Sequence, residues 1–330
     1  MLILTKSVFM IMIGFIFSMI TALILIPIFK KKKADQRLSI YLERSHQKKT
    51  GTPTMGGLIF IIPTIIILFL LLIFNKININ YSLIIIIFTF ISYAIIGFID
   101  DYLIIKKNNN KGLSETVKFL MQLFVAIIFF YLFMKAGNEP LLWIHTLDLK
   151  LNISWFYGLF ILFVLVASSN AVNLTDGLDG LAGGLSLIAF LTFGIITWNT
   201  GWLEGYESVA LFCFIIVGCI LGFLVFNVNP AKIFMGDTGS LTLGATLGSI
   251  AIITRHEVLL ILIGIVFVIE TLSCIIQRIY YKFTKKRIFL MTPIHHSFEK
   301  KGWNEYDIVR LFWIIGLLSS LISLTFGVVL

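Results

Sequence analysis

The sequence predicts an all-α polytopic membrane protein with about ten transmembrane helices, both termini outside, and a small external β-hairpin. Three observations carry that prediction. The chain is 58% hydrophobic and only 13% charged, with mean hydropathy +1.00, whereas soluble domains carry about 25% charged residues. Ten apolar runs recur along it, near the roughly 17–25 residues that a helix needs to cross a bilayer. Finally, 21 of its 26 Lys and Arg fall in alternate loops, the bias that places loops in the cytoplasm.

The spans run at 7–29, 56–75, 82–99, 118–134, 155–171, 181–198, 208–227, 239–254, 258–277 and 311–329. The fifth and eighth are short. The first is too long for a signal-peptide core and lacks a small-residue cleavage site, so it stays as a helix. An even number of spans puts both termini on one side. The loops after odd-numbered spans hold most of the basic residues, with Lys30–Lys33 as the strongest stop signal. Those loops therefore face the cytoplasm.

On the other side, Leu147, Leu149, Leu151 and Ile153 alternate with Asp148, Lys150 and Asn152. That period of two suggests the hairpin. The spans are spread evenly, so residues 1–330 are read as a single domain. Cys213, Cys219 and Cys274 lie in apolar runs without metal or disulfide spacing. The net charge of +9 reflects loop bias and contact with anionic membrane lipids rather than nucleic acid.

The chemistry is concentrated in the loops of the basic side. Asp100, Asp101, Asp176, Asp179 and Asp237 all sit there at the ends of spans. Carboxylates at a membrane are costly unless they bind a cation or do chemistry. Asp100 and Asp101 are adjacent at a helix C-terminus, where the helix dipole disfavours negative charge. Asn170, Asn173, Asp176 and Asp179 recur every third residue, which would place them on one face of a helical turn.

The loop after the seventh span runs from Asn227 and Asn229 through Phe234 and Gly236 to Asp237. Gly51-Thr52-Pro53-Thr54-Met55-Gly56-Gly57 could bring backbone N–H groups to a phosphate. His295 and His296 are adjacent, point apart on any regular element, and suit phosphate donation better than joint metal ligation. Lys118 stands at the mouth of the fourth span. No P-loop or zinc-hydrolase motif occurs. Oxygen ligands point to a divalent cation of the Mg2+ type and to phosphoryl transfer with a lipid-soluble partner.

These motifs, in this order and over nearly the whole chain, resemble the phospho-N-acetylmuramoyl-pentapeptide transferases of the polyprenyl-phosphate hexosamine-1-phosphate transferase superfamily. The residues carrying the resemblance are Gly51–Gly57, Asp100-Asp101, Asn173–Gly180, Phe234–Ser240 and Pro293–His296.

The resemblance implies an Mg2+-dependent enzyme in the bacterial cytoplasmic membrane, with its active site on the cytoplasmic face. Its substrates would be UDP-N-acetylmuramoyl-pentapeptide and undecaprenyl phosphate. Its products would be UMP and lipid I, the first lipid-linked intermediate of peptidoglycan synthesis. A homodimer is compatible with the chain. By position, Asp237 is the implied Mg2+ carboxylate. Asp100 and Asp101 are the implied essential pair facing the phosphates, with Asp100 a candidate base. His295 and His296 complete the catalytic set. Lys49, Thr54, Lys118, Asn173, Asp176, Asp179, Asn227, Phe234, Gly236 and Gln277 fall at substrate-binding positions.

Two residues depart from the family pattern. Ile104 replaces a usual Lys, leaving Lys106 or Lys118 as substitutes. Ser297 replaces a usual third His. A transferase using UDP-N-acetylglucosamine is the nearest rival, but its His motif is spaced differently. A transporter would place charges at span centres, where only Glu270 lies.

Overall fold

The computed structural model describes residues 2–32, 51–107, 112–144, 149–199 and 205–329. The helices are α1 (Leu2–Lys31), α2 (Leu58–Ile73), α3 (Tyr81–Lys107), α4 (Glu115–Lys135), α5 (Phe156–Thr175), α6 (Leu181–Asn199), α7 (Glu207–Asn227), α8 (Gly236–Ile253), α9 (Leu259–Ile263), α10 (Ile265–Thr284), α11 (Ile294–Lys300) and α12 (Glu305–Leu324). Seven are long and apolar enough to cross a bilayer: α1, α3, α4, α5, α6, α7 and α12.

The other three expected spans are helical but atypical. α2 has 16 residues. α8 has 18 residues, rich in Gly, Ser and Thr. The ninth span is broken at Gly264 into α9 and α10. The fifth span, expected to be short, is a full 20-residue helix.

α8 shows why a less apolar helix can sit at the centre. Every residue from Thr238 to Ile253 is buried. Three of its hydroxyls donate back to carbonyls one turn earlier: Ser240 to Gly236 at 3.0 Å, and Thr242 to Thr238 and Thr246 to Thr242, both at 2.6 Å. No polar group is then left facing lipid. Small residues also let neighbours close in. A Cβ on Gly97 of α3 would lie 2.2 Å from the Asp237 carbonyl oxygen.

α1 packs along α7 in the same way. Gly218 and Gly222 have the spacing of close-packed membrane helices. A Cβ on Gly218 would meet the Ile11 carbonyl at 2.1 Å, and Ser18 Oγ donates to the Cys219 carbonyl at 2.7 Å. Ile11 thus faces Gly218 while Ser18 faces Cys219 and Gly222, so the two helices run parallel. That is what alternating spans require of the first and seventh. The outward face of α1 leaves Phe9, Met12, Ile16 and Leu23 exposed, as lipid contact demands.

The hairpin pairs β1 (Leu141–Ile144) with β2 (Leu149–Asn152) antiparallel, Leu142 opposite Leu151. The alternation at 147–153 thus marks the second strand and misses the first. Asp148 lies outside the described residues, as do Lys49 and the rest of the basic stretch 33–50.

One end of the bundle gathers the ends of many helices. The last turns of α5 and α7 and the later turns of α3 meet the first turns of α2, α4, α6, α8 and α12 there, through the contacts described next. The helix starts direct N–H groups and positive dipole ends into that region, which favours anions.

Candidate active site

The structure draws Asp100, Lys118, Asn173 and Asp237 from four helices into one polar cluster. Lys118 Nζ lies 2.8 Å from Asp237 Oδ2 and 3.1 Å from Asp100 Oδ1. Asn173 Nδ2 donates to Asp237 Oδ1 at 2.8 Å and to Ser240 Oγ at 2.9 Å. Of the two candidates to replace the missing Lys at Ile104, Lys118 is therefore the one in the site. Lys106 instead lies over the Tyr102 ring, 5.9 Å from its centroid.

Asp100 and Asp101 are not loop residues as expected, because α3 continues to Lys107. The two are 4% exposed each and have different partners. Asp100 faces Lys118 and also accepts the Leu113 N–H at 2.9 Å. Asp101 turns to the start of α8. Its Oδ1 accepts the Asp237 N–H at 3.1 Å, and its Oδ2 accepts the Thr238 N–H and hydroxyl at 2.9 and 2.6 Å. Asp101 thus acts as an N-cap supplied by another helix, and it fixes the backbone that carries Asp237.

Gly236 makes that contact possible. Its φ of +74° suits glycine, and a Cβ there would lie 2.5 Å from Asp101 Oδ2 and 2.7 Å from Thr54 Oγ1. Thr54 is 2% exposed, and its Oγ1 has no hydrogen-bond partner. The glycine-rich loop reaches the site by backbone pairing. Gly56 and Gly57 donate to the Phe234 and Met235 carbonyls at 2.8 and 2.9 Å, and the Phe234 N–H donates to Pro53 at 2.8 Å. This places Phe234, a partly exposed aromatic, at the rim.

The expected four-residue polar face is cut short, because α5 ends at Thr175. Only Asn170 and Asn173 lie on that helix. Asp176 follows in the turn, where burial and the charges of Asp237, Asp101 and Asp179 raise its carboxyl well above the usual range.

Asp179 and Asn227 serve as loop ties. Asp179 Oδ2 accepts the Ala231 N–H at 3.0 Å and the Asn229 amide at 3.3 Å. Asn227 Oδ1 accepts the Gly180 N–H at 3.1 Å, and its Nδ2 donates to the Ile233 carbonyl at 3.0 Å. Glu305 was missed from sequence; it accepts the Asp179 N–H at 2.7 Å and the Asn229 amide at 3.0 Å. Its signal was an acidic residue in the first turn of a helix, which ordinarily reads as dipole compensation.

His295 and His296, expected to point apart, instead lie with ring centroids 4.2 Å apart on α11, the planes tilted by 58°. Each has a carboxylate at Nδ1: Glu270 Oε1 at 3.1 Å from His295, and Glu299 Oε2 at 2.5 Å from His296. Gln277 Oε1 accepts the Ile288 and Phe289 N–H groups at 3.1 and 2.9 Å, which ties down the loop before α11. Ser297, at the position of the family's third His, also serves that loop. It donates to the Met291 carbonyl at 2.5 Å and accepts the Met291 N–H at 3.1 Å.

Two family models match the chain: Glycosyl transferase family 4 over residues 83–255 and Phospho-N-acetylmuramoyl-pentapeptide-transferase signature 1 over residues 49–61. Curated relatives carrying the name phospho-N-acetylmuramoyl-pentapeptide-transferase align almost end to end. That of Staphylococcus carnosus is 47% identical over 319 residues, covering 96% of this chain and 98% of the relative. That of Geobacillus sp. strain WCH70 is 43% identical over 314 residues, with 95% of each covered. That of Oceanobacillus iheyensis is 42% identical over 322 residues, with 97% of each covered. With its motifs gathered at one end of a helical membrane bundle, the chain belongs to the phospho-N-acetylmuramoyl-pentapeptide-transferase family.

Proposed function

We propose that this chain transfers phospho-N-acetylmuramoyl-pentapeptide from its UDP derivative to undecaprenyl phosphate. The reaction releases UMP and forms lipid I on the cytoplasmic face of the bacterial membrane. The observation that carries this reading is Lys118 bridging Asp100 and Asp237 at 3.1 and 2.8 Å. A lysine held between carboxylates at a junction of helix starts suits a diphosphate that arrives with a lipid phosphate.

An oxygen of the lipid phosphate attacks the β-phosphorus of the UDP-sugar. The new P–O bond forms as the bond to UMP breaks, and UMP leaves with that electron pair. Direct transfer needs no phospho-enzyme. Lys118 offsets charge on the phosphoryl oxygens. Asp100 is the candidate base for the lipid phosphate, and Asn173 holds Asp237 in place. Phe234 offers an aromatic face to the nucleotide base.

The donor set also suits Mg2+. Asp237 and Asp100 supply hard oxygens. That matches a cation held by one or two carboxylates plus substrate phosphates and water. Asp237, with Asp100 beside it, would hold the ion. When bound it supplies charge neutralisation of the diphosphate and of leaving UMP.

The test is UMP release by purified protein in lipid nanodiscs containing undecaprenyl phosphate. Turnover with UDP-N-acetylmuramoyl-pentapeptide and Mg2+, lost on chelation, is the expected result. Turnover with UDP-N-acetylglucosamine instead would overturn the substrate assignment, and turnover unaffected by chelation would overturn the metal. Reporter fusions within 30–55 and 278–310 should signal from the cytoplasm; an external signal contradicts the proposed sidedness.

A further inference from the structure

A cavity of about 360 Å³ lies at the end of the bundle away from the catalytic cluster. α8 starts at the cluster and ends at Ile253, which sets the two apart by about 27 Å of helix. The apolar walls of the cavity include Leu259, Ile261 and Leu262 of α9 and Phe326 beyond α12. Ile261 is 51% exposed, so this wall opens toward lipid. The polar lining comes from chain outside the helices: Trp143 of β1, and Arg255 and His256 between α8 and α9. Trp and Arg are side chains suited to the boundary between membrane and water.

Arg255 is held there by an unusual backbone. Its N–H donates to the Ile252 carbonyl at 3.3 Å, and the His256 N–H donates to the Ala251 carbonyl at 2.8 Å. That pattern is the Schellman end of a helix, whose left-handed position usually takes Gly. Arg255 occupies it with φ +61°. The guanidinium rests over the Phe133 and Tyr157 rings, 4.8 and 5.6 Å from their centroids. It donates to the Leu141 and Glu139 carbonyls at 2.9 and 2.7 Å and to the Tyr157 hydroxyl at 3.3 Å. A guanidinium has five N–H donors, so these bonds among the described residues leave two for a ligand. Glu257, the nearest acid in the chain, is buried and receives the Tyr157 hydroxyl instead of lining the cavity. Lys150 adds a second cation, 4.3 Å over the Trp143 ring.

We propose that this cavity binds an anionic phospholipid of the leaflet opposite the active site. One acyl chain lies against α9, and the headgroup phosphate takes the remaining donors of Arg255. A nucleotide would leave its polar groups unpaired against Leu259, Ile261 and Leu262, whereas an amphiphile satisfies both sides. Because Arg255 also holds the hairpin, the bound lipid joins the hairpin to α9. The site is separate from the catalytic cluster, so it can fail while the transfer reaction stands.

The probe is phosphatidylglycerol with a diazirine at the end of one acyl chain, doped into phosphatidylcholine nanodiscs that hold the full chain. After irradiation, cross-links mapped by mass spectrometry should concentrate on the peptides carrying Leu259–Leu262 and Phe326. Phosphatidylcholine bearing the same diazirine should label them far less. Ile261→Trp, which fills the lipid-facing wall, should abolish the enrichment. Arg255→Gln should cut it about 10- to 100-fold, the worth of a hydrogen bond to a charged group. Ile24→Trp, on the exposed face of α1, should leave it unchanged. Equal labelling by the choline lipid, or undiminished labelling in Ile261→Trp, would mark ordinary lipid contact and overturn the proposal. If Arg255→Gln does not fold, Ile261→Trp and the choline lipid decide by the same criteria.

Discussion

Asp101→Asn and Asp100→Asn should separate two carboxylates that look equivalent in sequence. Asp101 accepts three donors on two oxygens: the Asp237 N–H, the Thr238 N–H and the Thr238 hydroxyl. Asparagine has one acceptor oxygen. If that oxygen keeps the two Thr238 donors, the amide nitrogen meets the Asp237 N–H donor to donor. An unsatisfied buried donor costs about 1–3 kcal/mol. Loss of a negative charge at a helix start adds about 0.3–1 kcal/mol. The expected destabilisation is therefore about 1–4 kcal/mol, with turnover lost as well because the backbone carrying Asp237 shifts.

Asp100→Asn differs. Its oxygen can still accept the Leu113 N–H, and Lys118 keeps Asp237 at 2.8 Å, so no buried charge is left unpaired. Stability should change by about 1 kcal/mol or less while turnover falls. Thermal unfolding of both variants in the same nanodiscs, scanned at one rate, should show Asp101→Asn several degrees below Asp100→Asn. Equal melting temperatures would refute the division of labour.

Two further outcomes follow from the geometry. Gly177→Ala should cut turnover tenfold or more, since a Cβ there would come within 2.4 Å of His295 Nε2 and a displacement near 1 Å can cost about 100-fold, while the exposed position keeps the stability change to about 1 kcal/mol. Unchanged kinetics in a UMP-release assay would show that His295 has slack. At the opposite end of the bundle, burial raises the Glu257 carboxyl to about 7 against hydrogen bonding from Tyr157 and the charge of Arg255. Between its ordinary value near 4.5 and about 7, the folded state holds a proton that the unfolded state has released. Stability therefore falls as pH rises through that window. Asp176 contributes with the same sign. Apparent Tm should drop from pH 5 to pH 8, and less so in Glu257→Gln; an identical drop in the variant would contradict the shift.

The spans were legible because lipid imposes a composition that no fold can disguise. α8 was the hardest to read for the same reason. Its Gly, Ser and Thr residues face protein on all sides, so its burial comes from neighbouring helices and not from its own hydropathy. The acidic residues of the site were also legible, since carboxylates at helix ends stand out in an apolar chain. Their division of labour was not. Asp101 as a cap, Asp179 and Asn227 as loop ties and Gln277 as a loop anchor all depend on partners far away in sequence. Glu305 escaped because a lone acid in a first helical turn gains meaning only from what it meets. Ser297 shows the converse: a departure from the family pattern becomes intelligible once Met291 is seen to hold its hydroxyl.

The central claim is that chemistry occurs at the cluster joining Asp237 to Lys118, Asn173 and Asp100. UMP release by Asp237→Asn, with UDP-N-acetylmuramoyl-pentapeptide, undecaprenyl phosphate and Mg2+ all saturating, tests it most directly. Turnover should disappear while membrane insertion and the melting temperature stay close to those of the unaltered protein. Near-normal UMP release from that variant would contradict the account.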